Sequence, residues 1–178
     1  MLLFYLSLIE NEEERSKFEK IYYQYRALMK YIALDILKDD AFAEDAVHEA
    51  FIKLARHLDG IEEIVSHKTK AFIVIVIRSV SLDMLAKEKR NKTISFYDTA
   101  DNLSTEDNVL ENMEINEIYE KIMSLPDIHR DIIQLKVYYE LSDKKIADVL
   151  GISHQAVRKR LQRAREALSK LLNERGMH

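Results

Sequence analysis

An all-α protein of two small helical modules is what this sequence predicts, on three observations. Turn residues are scarce: three glycines and one proline in 178 residues, against roughly 12% in average usage, and β-folds need many more of them. Apolar residues recur at three- and four-residue spacing in both halves, as on helices with one buried face. The length suits two modules, because domains usually run about 100–150 residues. A hydrophobic share of 47% beside 33% charge suffices for packed cores under a charged surface.

The first helix carries Phe18, Ile21, Tyr22, Tyr25, Met29, Ile32 and Ile36 on one face. The second carries Ala43, Ala46, Val47, Ala50, Phe51, Leu54 and Leu58, and Gly60 reads as its stop. Phe72 to Ile77 is β-branched and strand-like by propensity alone. The apolar pattern nevertheless continues through Val80, Leu82, Met84 and Leu85 to Lys89 without a breaker, a length that predicts a helix buried on most sides. After these come a helix from about Thr105 to Ser124, a Leu125-Pro126 start signal for one from Asp127 to about Tyr139, and a pair capped by Ser142 and Ser153. The pair spans Asp143–Leu150 and then runs on to about Asn173.

The net charge of −4 conceals a segregation. Arg78 to Lys92 holds five bases and two acids, net +3; Thr93 to Glu120 holds eight acids and no base, net −8; Gly151 to His178 holds seven bases and two acids, net +5. Two basic patches flank an acidic connector. The Ser-, Thr-, Asp- and Asn-rich start of that connector reads as a linker, which divides the chain into modules 1–92 and 113–178 joined by 93–112.

Two helices joined by a three-residue turn containing Gly151 form the helix-turn-helix pattern. Ile146, Ala147 and Leu150 line the first, Ile152 plugs the turn, and Val157, Leu161, Ala164 and Leu168 supply the inner face of the second. The outer face keeps Gln155, Arg158, Lys159, Gln162 and Arg163, types that read base edges in the major groove, preceded by Ser153 and His154 at the helix start. Arg160 and Arg165, on the flanks, are expected to meet phosphates.

Composition also excludes. Without cysteine there is no disulfide framework, thiolate nucleophile or finger-type zinc site, and a reducing cytoplasmic setting fits. The apolar run Met1–Ile9 lacks a basic flank and a cleavage site, so it does not read as a signal peptide. No apolar run reaches the ~18 residues that span a bilayer, so membrane insertion is not expected. His48-Glu49 begins like a metalloprotease helix, but Ile52 stands where the second ligand belongs, and the six histidines are scattered. No metal, cofactor or catalytic residue is expected, and the protein does not read as an enzyme.

The run LPDIHRDIIQLKVYYELSDKKIADVLGISHQAVRKRLQRAR from Leu125 to Arg165 closely resembles the promoter −35-binding domain (region 4) of bacterial sigma factors of the sigma-70 family. Asp39-Asp40 with the stretch Ala43 to Lys53 resembles the helix these factors press against the clamp of RNA polymerase, and Phe72 to Arg90 their −10-element helix, both in region 2. Size and two-module plan are similar to the extracytoplasmic-function (ECF) group. By position, the resemblance implies that Asp45, His48, Glu49 and Phe51 hold the clamp. It also implies that a loop with Ser66, His67 and Lys68 captures a flipped −10 base, with Phe72, Arg78, Ser79, Asp83, Lys87 and Arg90 on the helix behind it. The sequence departs from the pattern where Phe72 stands for a frequent Trp, Ser79 for Asn, Ile75 for a base, His48 for Gln and Lys145 for Glu. The partners so implied are core RNA polymerase, promoter DNA and an anti-sigma protein.

The function expected is that of an alternative sigma factor that gives polymerase its promoter specificity. Two other readings compete: an autonomous helix-turn-helix activator, distinguished by operator binding without polymerase, and a helical adaptor, which would not need Arg158 and Lys159.

Overall fold

The computed structural model describes residues 1–91 and 113–173, and all regular secondary structure among them is helical. Segment 93–112, the start of the helix expected from Thr105, and Arg175 lie outside the described residues. The chain forms two compact units, the first holding α1–α4 together with Asp148–Gly151 and the second the rest of α5–α8.

In the first unit the elements are α1 (Leu2–Ser7), α2 (Glu12–Leu37), α3 (Asp40–Ala55), a 3₁₀ turn at Leu58–Gly60, and α4 (His67–Asn91). Asn11 caps α2, its side-chain oxygen accepting the Glu13 N–H at 2.8 Å, and Glu12–Glu14 place three acids at the positive end of the helix dipole. The helix ends at Lys38, left-handed at φ 55°, whose N–H donates to the Leu34 carbonyl. The next residue, Asp39, caps α3 by accepting the Phe42 N–H at 2.9 Å. Two residues thus turn the chain between the longest apolar stripes, and α2, α3 and α4 pack mutually. The expected stripe of α2 is buried at Phe18, Ile21, Tyr25, Met29 and Ile32. The segment Phe72–Ile77 is helical, so length prevailed over β-propensity.

Gly60 is a correction. Helix α3 ends at Ala55, its C-cap Arg56 is right-handed, and Gly60 closes the 3₁₀ turn without a positive φ. The turn is held from α2 by Lys17 Nζ, which donates to the Leu58 carbonyl at 3.0 Å, and the segment after it by Tyr25 Oη, which donates to the Ile64 carbonyl at 2.6 Å.

Aromatic rings close this core. Phe51 is fully buried, with Tyr5, Phe18 and Tyr22 at ring separations of 5.5, 5.8 and 4.9 Å. The expectation that Phe51 meets polymerase is therefore corrected: its ring faces inward because it continues the apolar stripe of α3.

The second unit comprises α5 (Met113–Met123), α6 (Asp127–Ile133), α7 (Asp143–Leu150) and α8 (His154–Asn173). Pro126 precedes α6, where its fixed φ and missing N–H cost nothing. The single helix expected to Tyr139 instead widens into a π turn at Gln134–Tyr138 and ends at left-handed Glu140, φ 53°. Beside it Lys136 Nζ reaches Asp143 Oδ1 at 2.7 Å and the Leu141 carbonyl at 3.5 Å, fastening the turn into α7. Ser142 caps α7 through the Lys145 N–H, Gly151 takes φ 65° in the turn, and Ser153 caps α8 through the Ala156 N–H at 3.2 Å. Helix α8 packs on α6 and α5, and Ile146, Val157, Leu161 and Ala164 are buried.

Phe51→Ala is expected to lower the stability of the first unit by about 3–5 kcal/mol, as for deletion of a buried ring, measured by denaturant unfolding. Gly151→Ala should cost about 1 kcal/mol, because a Cβ is strained at this φ, and Gly151→Asn less, because Asn tolerates the left-handed region; thermal melting ranks the pair.

Candidate nucleic-acid interface

Helix α8 separates its two faces cleanly. Val157, Leu161 and Ala164 point inward, while Ser153, His154, Gln155, Arg158, Lys159, Gln162, Arg163 and Arg165 are exposed. A four-residue step returns to the same side of a helix, so Gln155, Lys159 and Gln162–Arg163 form one row beside Arg158. The row opens at the helix N-terminus, the end that HTH proteins direct to base edges. Gln162 Nε2 also donates to Glu166 Oε1 at 2.9 Å, which orients its amide along the outer face.

Arg160 departs from expectation. It is half-buried, three residues from Val157 and next to Leu161, and its guanidinium lies near the buried Asp131 of α6. Burial lowers its pKa and the Asp131 charge opposes that shift. Arg160 therefore packs on the unit's own core flank and is not a freely presented phosphate contact. Sequence reasoning also missed the Lys136–Asp143 pair, which holds the Asp143 carboxyl below its usual range and fixes the start of α7. Two residues seven apart across a turn leave no periodic signal.

In the first unit the presumed base-capturing loop is shorter than expected. Ser66 is the cap of α4, accepting the Thr69 N–H at 3.1 Å, and Thr69 Oγ1 donates to the Glu63 carbonyl. His67 and Lys68 thus belong to the first turn of the helix and not to a loop. Farther along α4, Ser79, Asp83, Lys87 and Arg90 follow at helical spacing on one side, with Asp83 and Lys87 paired at 2.7 Å. Phe72 and Arg78 are corrections: both are buried, so neither is presented to solvent.

On α3 the acids divide. Glu44 pairs with Lys30 of α2 at 2.8 Å and lies 3.4 Å from Arg26, and the bond from Lys30 lowers its pKa. Asp45 and Glu49, one turn apart and exposed, form no ion pair among the described residues. His48 lies between them in sequence and turns toward α1, where the Tyr5 hydroxyl and His48 Nδ1 are 2.8 Å apart. Burial pushes the Tyr5 phenol up to about 12, so it stays protonated at neutral pH. No helix among the described residues is long and apolar enough to cross a membrane.

Both units match known families. Residues 21–91 match Sigma-70 region 2, and residues 115–168 match Sigma-70, region 4. The chain is 31% identical over 144 residues to the ECF RNA polymerase sigma factor SigW of Bacillus subtilis (strain 168), covering 74% of this chain and 76% of SigW. It is 30% identical over 162 residues to the ECF RNA polymerase sigma factor SigM of the same organism, covering 87% of this chain and 94% of SigM. Among solved structures, the sigma factor RpoE, in complex with the anti-sigma factor NepR from Bartonella quintana, is 19% identical, with a TM-score of 0.38 over 88% of this chain and 96% of that one. With region 2 followed by region 4 on one chain, and relatives of nearly equal extent, this protein belongs to the ECF group of the sigma-70 family and is an alternative sigma factor.

Proposed function

We propose that the first unit, within residues 1–92, docks on the clamp of core RNA polymerase through Asp45 and Glu49 of α3 and engages the −10 element along α4. The module at 113–178 then reads duplex −35 DNA with α8, and the acidic segment 93–112 joins the two. The observation that carries this is the row Gln155, Arg158, Lys159, Gln162 and Arg163, exposed on α8 over a buried apolar face. Arg and Lys donate to guanine and Gln pairs with adenine, whereas Arg165 is placed to meet phosphate. On α4 the accessible groups are His67, half-buried Lys68, Asp83, Lys87 and Arg90.

Such a protein performs no chemistry of its own. It acts in the cytoplasm, where its partners are core polymerase, promoter DNA and an anti-sigma protein able to cover either face. Asp45 and Glu49 offer paired acceptors for charge-assisted hydrogen bonds from a basic surface.

Mixing the purified chain with bacterial core polymerase should give a co-eluting complex, and Asp45→Arg should abolish it. Failure of the wild-type chain to bind core, while it binds duplex DNA alone, would identify an autonomous activator instead. Arg158→Ala together with Lys159→Ala should remove −35-dependent transcription while leaving core binding intact. With five or six phosphate contacts, log affinity of the complex for promoter duplex should fall against log salt with a slope of about −5, near −0.9 per contact; filter binding between 50 and 200 mM salt, roughly, measures it.

A further inference from the structure

Helix α1 lies ahead of the region 2 match, which begins at residue 21, and it is built in an unusual way. Its Tyr5 is 2% exposed and Ile9 beyond it 3%, yet Leu3 is 82% and Phe4 48% exposed, and Met1 and Leu8 are exposed as well. The helix is nonetheless fixed. Tyr5 bonds to His48 and packs on Phe18 and Phe51, and Arg15 Nε donates to the Ile9 carbonyl at 2.7 Å. A short helix that is anchored on one side and apolar on the other presents surface suited to a partner.

Its position names the partner. The Phe4 ring lies 5.6 Å from the His48 ring, and His48 stands on α3 one residue from Glu49 and one turn from Asp45. Phe4 is therefore continuous with the acidic row. Exposed Glu10 and Glu13 follow α1 in the chain, while Arg15, the base beside it, is tied to the Ile9 carbonyl and to Glu12. An apolar surface beside exposed acids is disfavoured by nucleic-acid phosphates and by anionic lipid. A second copy of this chain paired through the same face would oppose like charges. A basic protein surface with an apolar centre complements it.

We propose that α1 extends the polymerase-binding face, so that the clamp of core RNA polymerase packs on Leu3 and Phe4 as well as meeting Asp45 and Glu49. This rests on the clamp-docking role proposed above. His48 then acts as a positioning residue, holding Tyr5 and Phe4 in line with the acids.

The test measures the affinity of the full chain for core polymerase with wild type, Leu3→Ser/Phe4→Ser, Leu3→Ser alone and Asp45→Arg, alongside thermal melting and sedimentation of each free protein. The double variant should bind roughly ten- to a hundred-fold more weakly, as expected for loss of an apolar anchor at an interface, and remain monomeric. Leu3→Ser, at a side chain too exposed to support the fold, should weaken binding several-fold without changing the melt, so the outcome does not depend on Phe4 packing. If both serine variants bind like wild type while Asp45→Arg fails, α1 has no part in the interface and the clamp role stands. If wild type does not bind core at all, the clamp role falls and this inference with it. If wild type is a dimer that the double variant converts to monomer with unchanged polymerase affinity, the surface pairs copies of this chain and the proposal is overturned.

Discussion

The burial of Phe51 is the constraint on which the first unit depends. Its ring joins α1, α2 and α3 through Tyr5, Phe18 and Tyr22, and buried aromatic pairs add about 0.5–1.5 kcal/mol each beyond the area they remove from water. Because that ring points inward, the helical repeat sends Asp45 and Glu49 outward, on either side of His48. The exposed acidic face of α3 is thus a by-product of packing. It needs no loop to hold it, and the acids of α3 that do meet partners within the unit, Asp40 and Glu44, are the ones facing α2 across Lys30.

The second unit obeys the same logic with opposite charge. Val157, Leu161 and Ala164 fix the rotation of α8 about its axis, and that rotation decides which basic side chains face solvent. Arg160 is sacrificed to the flank of the core, near Asp131. The caps at Ser142 and Ser153 and the left-handed Gly151 set the angle at which the two helices follow one another, while Lys136 on Asp143 fixes the approach to the first.

What could be read from the sequence was whatever repeats at the helical period. The stripes of α2, α3 and α8, the helix at Phe72–Ile77 and the hydroxyl caps all follow from spacing and residue type. Motif position misled where it was used in place of burial: Phe51 and Phe72 occupy family contact positions but also continue apolar stripes, and the stripe prevailed. Arg160 was legible in retrospect, since it stands three residues after Val157 on the edge of the buried face. Gly60 failed as a helix stop because α3 ends at Ala55 and a 3₁₀ turn, held by Lys17 of α2, takes up Leu58–Gly60. In the six-residue α1, apolar on every side, the single four-residue step from Tyr5 to Ile9 did not mark out a buried face. The π turn before Glu140 had none either.

The two-residue link at Lys38 and Asp39 makes α2 and α3 a local hairpin that closes without a long loop to order, whereas α1 joins through one tyrosine, one isoleucine and a short run of backbone. Opening free energies within a fold are lowest where few apolar contacts are broken. Within the first unit α2, α3 and α4 pack extensively on one another, whereas the N-terminal turn rests on few side chains and is the segment whose opening costs least. The apolar surface of α1 is thus carried on the part of the unit held by the fewest apolar contacts, and what ties it there is the same Tyr5 that covers Phe51.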